Sequence, residues 1–490
     1  MLEPSTVVEV IGDELLPKWR SERKKLDRID RWARWDHDSP HKPRHATAEY
    51  KELAARAQAP WGDLVVGSVA QTLYVEGYRR PDAPEDGSGW EIWQANGMDA
   101  RQVAIHRAVL TYGLAYATCL PGKTMAGTPM PQMRGVSPRE MIAVYDDPAN
   151  DDWPVYALRV LPVRNGFRLL MFDDEAVYTV KVKDLGDTPK ADDVEVALHL
   201  AGVCPVVRYK NRFDLEGRSA GEIEPFIPVL GKIDQTSFDR LVVQRFASWI
   251  VRTIAGMDVP ASAAATGESV EQAKMRLKVE DFLTATDKDT KFGSLPATPL
   301  EGFIKAHDSD LGVLAAVSQT PAFEMLGTLA NLSAESLAAA KASQTAKSDE
   351  RKHSLGEDHE QLIRLGCHLK GNPEGAEDFM AEVRWADTSI RSLAQSVDAL
   401  GKMAQMLGYP PELLWQKVPG FTKQDVDEAR DLKREFPSAR VRVVRATLDE
   451  LAQRIEARSW LTPTQRAEML GAARNIAASI DASGISSDGE

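Results

Sequence analysis

Apolar positions recur at helical spacing over residues 1–60: Leu15, Trp19 and Leu26 share one stripe between charged positions, and ATAEYKELAARA continues it. APWGDLVVGSVAQTLYVEGYR then supplies a mostly apolar stretch that ends in a short strand-like run, and DAPEDGSGW is a turn cluster by composition. Residues 91–119 predict a second helical pair with Trp93, Val103, Ile105 and Val109 mostly inward. From 140 to 210 the period changes. MIAVYDD, WPVYALRVLPV, FRLLMF, AVYTVKVKD, VEVALHL and CPVVRYK are short β-branched and aromatic runs bounded by Asp, Asn, Gly and Pro. They predict an antiparallel meander, with Asn165-Gly166 as its strongest hairpin signal.

After Gly217 the helical period returns for most of the remaining length. Leu230, Ile233, Leu241, Phe246 and Ile250 stand near helical spacing, with Pro225 or Pro228 at the start and Gly256 at the end. A helix from Pro228 to Ala255 would be about 42 Å long. Two more long helices, 299–318 and 333–370, flank the irregular link TPAFEMLGTLANLS, and the insert 257–298 holds strand-like VEDFLTAT and KFGSLPAT. A Gly/Pro/acid-rich linker, GNPEGAED, leads to a helical block over 388–475, and the small, polar, acidic end ASGISSDGE predicts disorder. The fold class expected from this order is α+β, mainly α.

Composition narrows the function classes. At 490 residues the chain is about three times the ~150-residue prior for one domain. Its 60 Lys+Arg against 73 Asp+Glu give a net charge of −13, which argues against a surface built to clamp phosphates. Cys119, Cys204 and Cys367 lie far apart without ligand spacing, so neither a disulfide framework nor a zinc ribbon is expected. The N-terminal stretch lacks the basic-then-apolar order of a signal peptide, and no segment reaches ~18 uncharged apolar residues. A cytosolic or particle-bound chain, not inserted in a membrane, is the expectation.

The catalytic motifs do not hold together. LPGKT at 120–124 lacks the glycine a phosphate loop needs at position 117, where Ala stands, so the expectation is an ordinary Pro-Gly loop. GRSAG at 217–221 matches G-x-S-x-G, but NRFDLEG separates Ser219 from the preceding strand, and His307, His353, His359 and His368 all fall in helical sequence. The better local reading is a helix cap: Ser219 and Glu222 have S-x-x-E spacing. WDHDSPH at 35–41 reads as a solvated loop rather than a metal site. The charged face of 333–370, which includes Lys341, Lys347, Asp349, Glu350, Arg351, Lys352, Glu357, Asp358, Glu360 and Arg364, reads either as solvated or as packed against sister subunits. No catalytic residue, metal site or cofactor is expected.

Fragments in a fixed order carry a resemblance. Pro205-Val206-Val207-Arg208-Tyr209-Lys210-Asn211-Arg212 ends a strand; Gly217, Ser219 and Glu222-Ile223-Glu224-Pro225-Phe226-Ile227-Pro228 open a long helix; Thr320-Pro321 closes another. Asn331, Ser333, Glu335, Ser336 and Leu337 open the next helix, and Trp385, Asp387, Ser392, Ala394, Asp398, Ala399 and Lys402 follow. In this the chain resembles the portal (head–tail connector) proteins of long-tailed phages, specifically the SPP1 Gp6-like portal family. The departures are Ser336, where many relatives have Ala, and 257–298, which shows little that matches.

The resemblance implies an elongated portal-type subunit in a homo-oligomeric ring, usually a dodecamer, at one capsid vertex of the virion, assembled in the host cytoplasm. By position it implies a wing over 1–220 that contains the meander, stem helices 221–256 and 299–320, and a clip over 257–298. A tunnel loop over 321–332, with Leu326, Gly327, Thr328, Leu329, Asn331 and Leu332, would project into the channel. The helix 333–370 would bridge the wing, and 371–475 would form the crown, before an acidic tail 476–490. Double-stranded DNA would pass through the channel, driven by the separate terminase large subunit. Major capsid, scaffolding and head-completion adaptor proteins would be the other partners, with no membrane involved. An acidic wall would let DNA slide, with Lys341 and Lys347 as candidate phosphate contacts. Removing 326–331 should leave rings that package poorly. The alternatives are another virion structural protein, a tail or capsid component, and, less favoured, a serine hydrolase using Ser219.

Overall fold

The computed structural model of the chain describes residues 1–38, 40–41, 48–79, 88–187, 190–247, 252–255, 291–294, 299–327, 334–386, 393–415, 418, 423–435 and 453. It divides into two compact units, Met1–Ala386 and Asp387–Glu490. Every strand pair among the described residues is antiparallel, and helices and strands are grouped rather than alternating, so the fold is α+β. No helix among the described residues is long and apolar enough to cross a membrane.

The first unit begins with helix α1 (Pro4–Glu9), a π-helical stretch (Val10–Leu15) and α2 (Leu16–Ala33) in direct succession. Val7, Ile11, Leu15 and Trp19 lie on one stripe because their spacing is three to four residues, and they bury it against a five-stranded sheet. That sheet is the expected meander: β4 (Met141–Val144), β5 (Tyr156–Val163), β6 (Gly166–Phe172), β7 (Ala176–Val182) and β8 (Glu195–Leu198) pair in chain order. The hairpin is shifted one residue from the Asn-Gly signal: Arg164 and Asn165 form the loop, and Gly166 pairs with Val163. Glycine is required there, since φ is 130° and a Cβ would stand 2.2 Å from the Val182 carbonyl oxygen.

The sixth run leaves the meander. β9 (Val206–Lys210) joins β2 (Leu114–Leu120) and β3 (Gln132–Val136) in a three-stranded sheet of order β3-β2-β9. This corrects the helical expectation for 114–119. Helix α6 (Met98–Tyr112) stops at Gly113, whose φ is 94°, and Ala115 through Cys119 are buried on both faces, which removes the alternation that marks a strand in sequence. Trp93, Ile105 and Val109 are buried as expected, but Val103 is exposed.

Helices α3 (Ala48–Ala57), α4 (Trp61–Ala70) and α5 (Ser88–Ala95), with strand β1 (Val75–Arg79), complete the N-terminal part. β1 pairs with β14 (Glu382–Trp385), a strand that sequence reading missed between the linker and the helical block. The two-residue strands β10 (Arg212–Phe213) and β11 (Ser219–Ala220) form a small ribbon. A 3₁₀ turn, Glu224–Phe226, then leads into α7 (Ile227–Ala247). The helix does not continue to Ala255: Arg252–Ala255 is β12, paired with β13 (Lys291–Ser294), where β-branched Thr253 and Ile254 suit a strand. KFGS is thus a strand, while VEDFLTAT lies outside the described residues. α8 (Glu301–Ser318), α9 (Ala322–Leu326) and α10 (Ala334–Lys370) follow. At 37 residues α10 is about 55 Å long. The Asn372 side chain caps a last turn, α11 (Pro373–Ala376), by accepting from the Gly375 N–H.

The second unit contains α12 (Leu393–Leu407), α13 (Pro411–Leu414) and α14 (Lys423–Glu435). Leu414 and Val426 are buried, and Lys433 pairs with Glu412 and lies 5.9 Å over the Trp415 ring. The acidic end 476–490 lies outside the described residues.

Candidate functional site: a buried carboxylate hub under the long helix

The charged sequence of α10 hides a buried spine. Gln344, Lys347, Ser348, Arg351, Leu355, Asp358, His359, Leu362 and Ile363 are all buried, spaced three or four apart on one face. Several polar groups along the helix are matched by partners on neighbouring elements. Gln344 donates to the Ser68 carbonyl at 2.9 Å, the Thr72 hydroxyl donates to Ser348 at 2.9 Å, and Ser354 donates to the Lys210 carbonyl at 2.9 Å. The charges on this helix that read as a solvated face are partly a set of internal fasteners.

Their centre is Glu222. Its delivery depends on two glycines that cross closely: a Cβ on Gly221 would lie 2.3 Å from the Thr111 carbonyl oxygen, and one on Gly113 would lie 2.8 Å from the Ala220 carbonyl carbon. The Glu222 N–H then donates to the Leu110 carbonyl at 2.6 Å, so the side chain enters the core beneath α10. Its carboxylate accepts from Lys347 Nζ at 2.7 Å, from Arg351 Nη2 at 3.2 Å, from Arg212 Nη2 at 3.2 Å and from Asn211 Nδ2 at 3.0 Å. Burial opposes its charge, but Lys347 above all, with Asn211 and Arg212, brings the carboxyl down to about 2. Lys347 also donates to the Ser318 carbonyl at 2.9 Å, which ties the end of α8 to the hub.

A second buried network lies further along α10. His106 Nδ1 is 3.2 Å from the Leu73 carbonyl oxygen and so holds the proton it donates there. Its Nε2 must then accept from His359 Nε2–H at 2.8 Å, and His359 Nδ1 accepts the Tyr209 hydroxyl at 2.9 Å. This direction is consistent only with two neutral imidazoles. Burial pushes His106 down to about 4 and His359 well below its usual value. Trp93 packs edge-on at 5.0 Å from His359. Asp358 beside it accepts the Lys210 N–H at 2.9 Å, and burial raises its carboxyl to about 7.

A pH experiment checks the histidine pair. An unfolded imidazole titrates near 6.5 and folded His106 near 4, so between these values the unfolded chain binds the extra proton and stability falls as pH falls. Asp358 acts oppositely over about 4 to 7, which a difference measurement removes. The stability gap between wild type and His106→Gln should therefore narrow by about 2 kcal/mol from pH 7 to pH 5. Urea unfolding at both pH values checks this, and a constant gap would contradict it.

The sequence-selected residues divide clearly. Pro205 precedes β9; Asn211, Arg212 and Glu222 converge on the hub, whereas Arg208 donates to the Pro148 carbonyl at 2.7 Å and its guanidinium lies 4.0 Å over the Tyr145 ring. Ser219 and Glu222 do not form a capping box. Ser219 sits in β11, opposite Phe213, and its hydroxyl donates to the Gly113 carbonyl, while Glu222 turns inward. The two glycines of G-x-S-x-G are explained by packing instead: a Cβ on Gly217 would meet Pro148 at 2.5 Å, and Gly221 makes the crossing described above. Pro225 falls in the 3₁₀ turn and Pro228 in the first turn of α7, the irregular start expected. Thr320 accepts from the Ser318 hydroxyl at 3.0 Å, and Pro321 precedes α9.

Lys347 requires correction as a phosphate contact. It is 4% exposed and committed to Glu222 and Ser318, so its ammonium does not face solvent. Lys341 is partly exposed, 3.5 Å from Glu324 and 5.6 Å over Phe323, and so is tethered to α9. Leu326 ends α9 and packs on the main core, and Gly327 closes it with φ at 66°. Thr328, Leu329, Asn331, Leu332, Ser333, Asp387 and Ser392 lie outside the described residues. Trp385 sits on β14, 5.6 Å from His106. His37, expected in a solvated loop, is instead buried, 2.6 Å from Asp234 and stacked 3.7 Å from Trp32.

Sequence reasoning missed the histidine pair and the roles of Lys347 and Arg351. The available signal was register: Lys347 and Arg351 fall in line with Leu355, Leu362 and Ile363, where a solvated residue would not.

No curated protein matches the chain. The family model for phage portal protein, SPP1 Gp6-like, matches residues 14–437, a span that includes the glycine crossing, the Glu222 hub and α10. That match covers most of the chain, which therefore belongs to the SPP1 Gp6-like family of phage portal proteins, structural components of the virion capsid at the head–tail connection.

Proposed function

We propose that this chain is one subunit of a closed ring at a single capsid vertex, through which DNA is packaged and ejected and on which the terminase and a head–tail adaptor dock. The observation that carries this reading is the family match over 14–437. Residues 1–220 act as the wing, 221–256 and 299–320 as the stem, 257–298 as the clip, 321–332 as the tunnel loop, 333–370 as the bridging helix and 371–475 as the crown. Twelve subunits is the count that the family resemblance favours.

The hub gives this reading a mechanical logic. Glu222 joins its own segment before α7 and the nearby ribbon residue Arg212 to two places distant in sequence: the end of α8 through Lys347, and α10 through Lys347 and Arg351. A subunit that must hold its shape while DNA is driven past it gains from fasteners that leave the proposed stem and bridge in one register. The chain acts as passage and platform, and the terminase supplies the work. Lys341 remains the lysine proposed to touch phosphates, and the net charge of −13 suits a wall that lets DNA slide.

The test is complementation. A phage deleted for this gene should yield heads without DNA, and supplying the chain in trans should restore DNA-filled heads in electron micrographs. DNA-filled heads at wild-type yield without the chain would overturn the proposal.

A further inference from the structure

The five-stranded sheet has two edges, and they are treated differently. At the β4 edge every residue is at least partly buried, and Arg139 just before the strand pairs with Asp27 and Asp30 of α2 at 2.9 and 2.8 Å. That edge is closed. At the β8 edge all four residues are exposed, and no described residue pairs with the outer side of the strand.

The exposed edge is also apolar on one face. Val196 and Leu198 stand opposite Tyr178 and Ala176, which face the core under α1 and α2. Val194, two residues earlier, packs on that core, whereas Val196 is 42% and Leu198 63% exposed. The helical cover therefore stops before β8, although the apolar face of the sheet continues. Beyond the strand, His199 donates to the Asp173 carbonyl and accepts from the Ala201 N–H, at 3.1 and 3.2 Å. This pin leaves Leu200 80% exposed with φ at 55°, a left-handed conformation that leucine rarely takes. The three apolar side chains lie at alternate positions, and the flank is acidic: Asp192 and Asp193 are exposed and carry no ion pair among the described residues. Apart from its shortness and Glu195, which pairs with Lys181 at 3.0 Å, the edge carries none of the devices (bulge, proline or lysine) that shield exposed strands.

We propose that β8 is a docking edge that accepts an extended segment of a different virion chain, one carrying apolar residues at alternate positions and a lysine or arginine beside them. Backbone N–H and C=O groups of that segment add a sixth strand, its apolar side chains cover Val196, Leu198 and Leu200, and its cation meets Asp192 and Asp193. The closed β4 edge rules against β8 of one copy pairing with β4 of another, and a β8–β8 pairing would leave Asp192 and Asp193 of both copies without a cation. That the partner belongs to the virion rests on the portal reading; the open edge does not.

The test places a photo-crosslinking benzoylphenylalanine at position 198 in heads assembled from otherwise complete virion components. The expected result is a light-dependent adduct with another virion chain, mapped by mass spectrometry to a segment of that pattern. Adding Val196→Lys and Asp193→Lys should reduce the adduct at least tenfold while the chain still enters heads. An adduct with a second copy of this chain, an adduct with an acidic or non-alternating segment, or no adduct from chains present in heads would each overturn the edge and leave the portal reading intact. Absence of the chain from heads overturns both.

Discussion

Glu222→Ala should lower the unfolding free energy by about 3–5 kcal/mol, the cost of leaving buried charges without their partner. The variant strands Lys347 with the Ser318 carbonyl and leaves Arg351 with the more exposed Glu350, at 2.8 Å. Neither has water to compensate, since both side chains are almost fully enclosed. Glu222→Gln keeps hydrogen-bond acceptors without the charge and should fall between wild type and alanine. Lys347→Met should cost less than Glu222→Ala, because Arg351, Arg212 and Asn211 still neutralise the carboxylate. Denaturant unfolding of the purified variants checks the order. Equal stability of wild type and Glu222→Ala would remove the hub from the account. The contribution is also acid-sensitive in a defined direction: Glu222 titrates near 2 when folded and 4.5 when unfolded, so its stabilisation is present above 4.5 and lost as pH falls toward 2.

The second large effect concerns passage rather than folding. Removing the tunnel loop should leave rings that form normally while DNA-filled heads fall at least tenfold. The structure fixes where the deletion begins. Leu326 packs on the main core and Gly327 ends α9, so losing either would confound packaging with misfolding. A deletion of 328–331 spares both. Ring yield by electron microscopy and packaged DNA by nuclease protection measure the two properties in one preparation. Normal packaging with this deletion would sink the loop's proposed role.

Much of the fold was legible because period and turn chemistry act locally. The strands of the meander and the long helices near 301–318 and 334–370 follow from spacing and β-branched content. The misses come from tertiary context that the local sequence does not contain. β2 is buried on both faces and so looked like a continuation of the helix before it. β12 followed a long helix whose end carries no strong stop signal. β14 is a four-residue strand that exists because β1 offers it a partner more than three hundred positions earlier in the chain.

The site was less legible than the fold. S-x-x-E predicted a cap, yet the close glycine crossing turns Glu222 into the core, and no local rule contains the Thr111 carbonyl that forces it. Lys347 looked like a residue for phosphates because a lysine's partners are invisible in sequence. His37 looked solvated because Trp32 and Asp234, which enclose it, lie on other elements. What sequence did supply was the set of positions: Asn211, Arg212 and Glu222 were selected as motif residues before their convergence could be seen.

Central to the account is that identical subunits close into a ring around a channel. The mass and symmetry of the purified, assembled protein test this most directly, by native mass spectrometry together with electron-microscopic class averages. The expected species is a closed ring with a central hole and a mass that is an integral multiple of the chain mass, twelve being the favoured count. A species that stays monomeric at every concentration, or that assembles into open filaments without a hole, would contradict it.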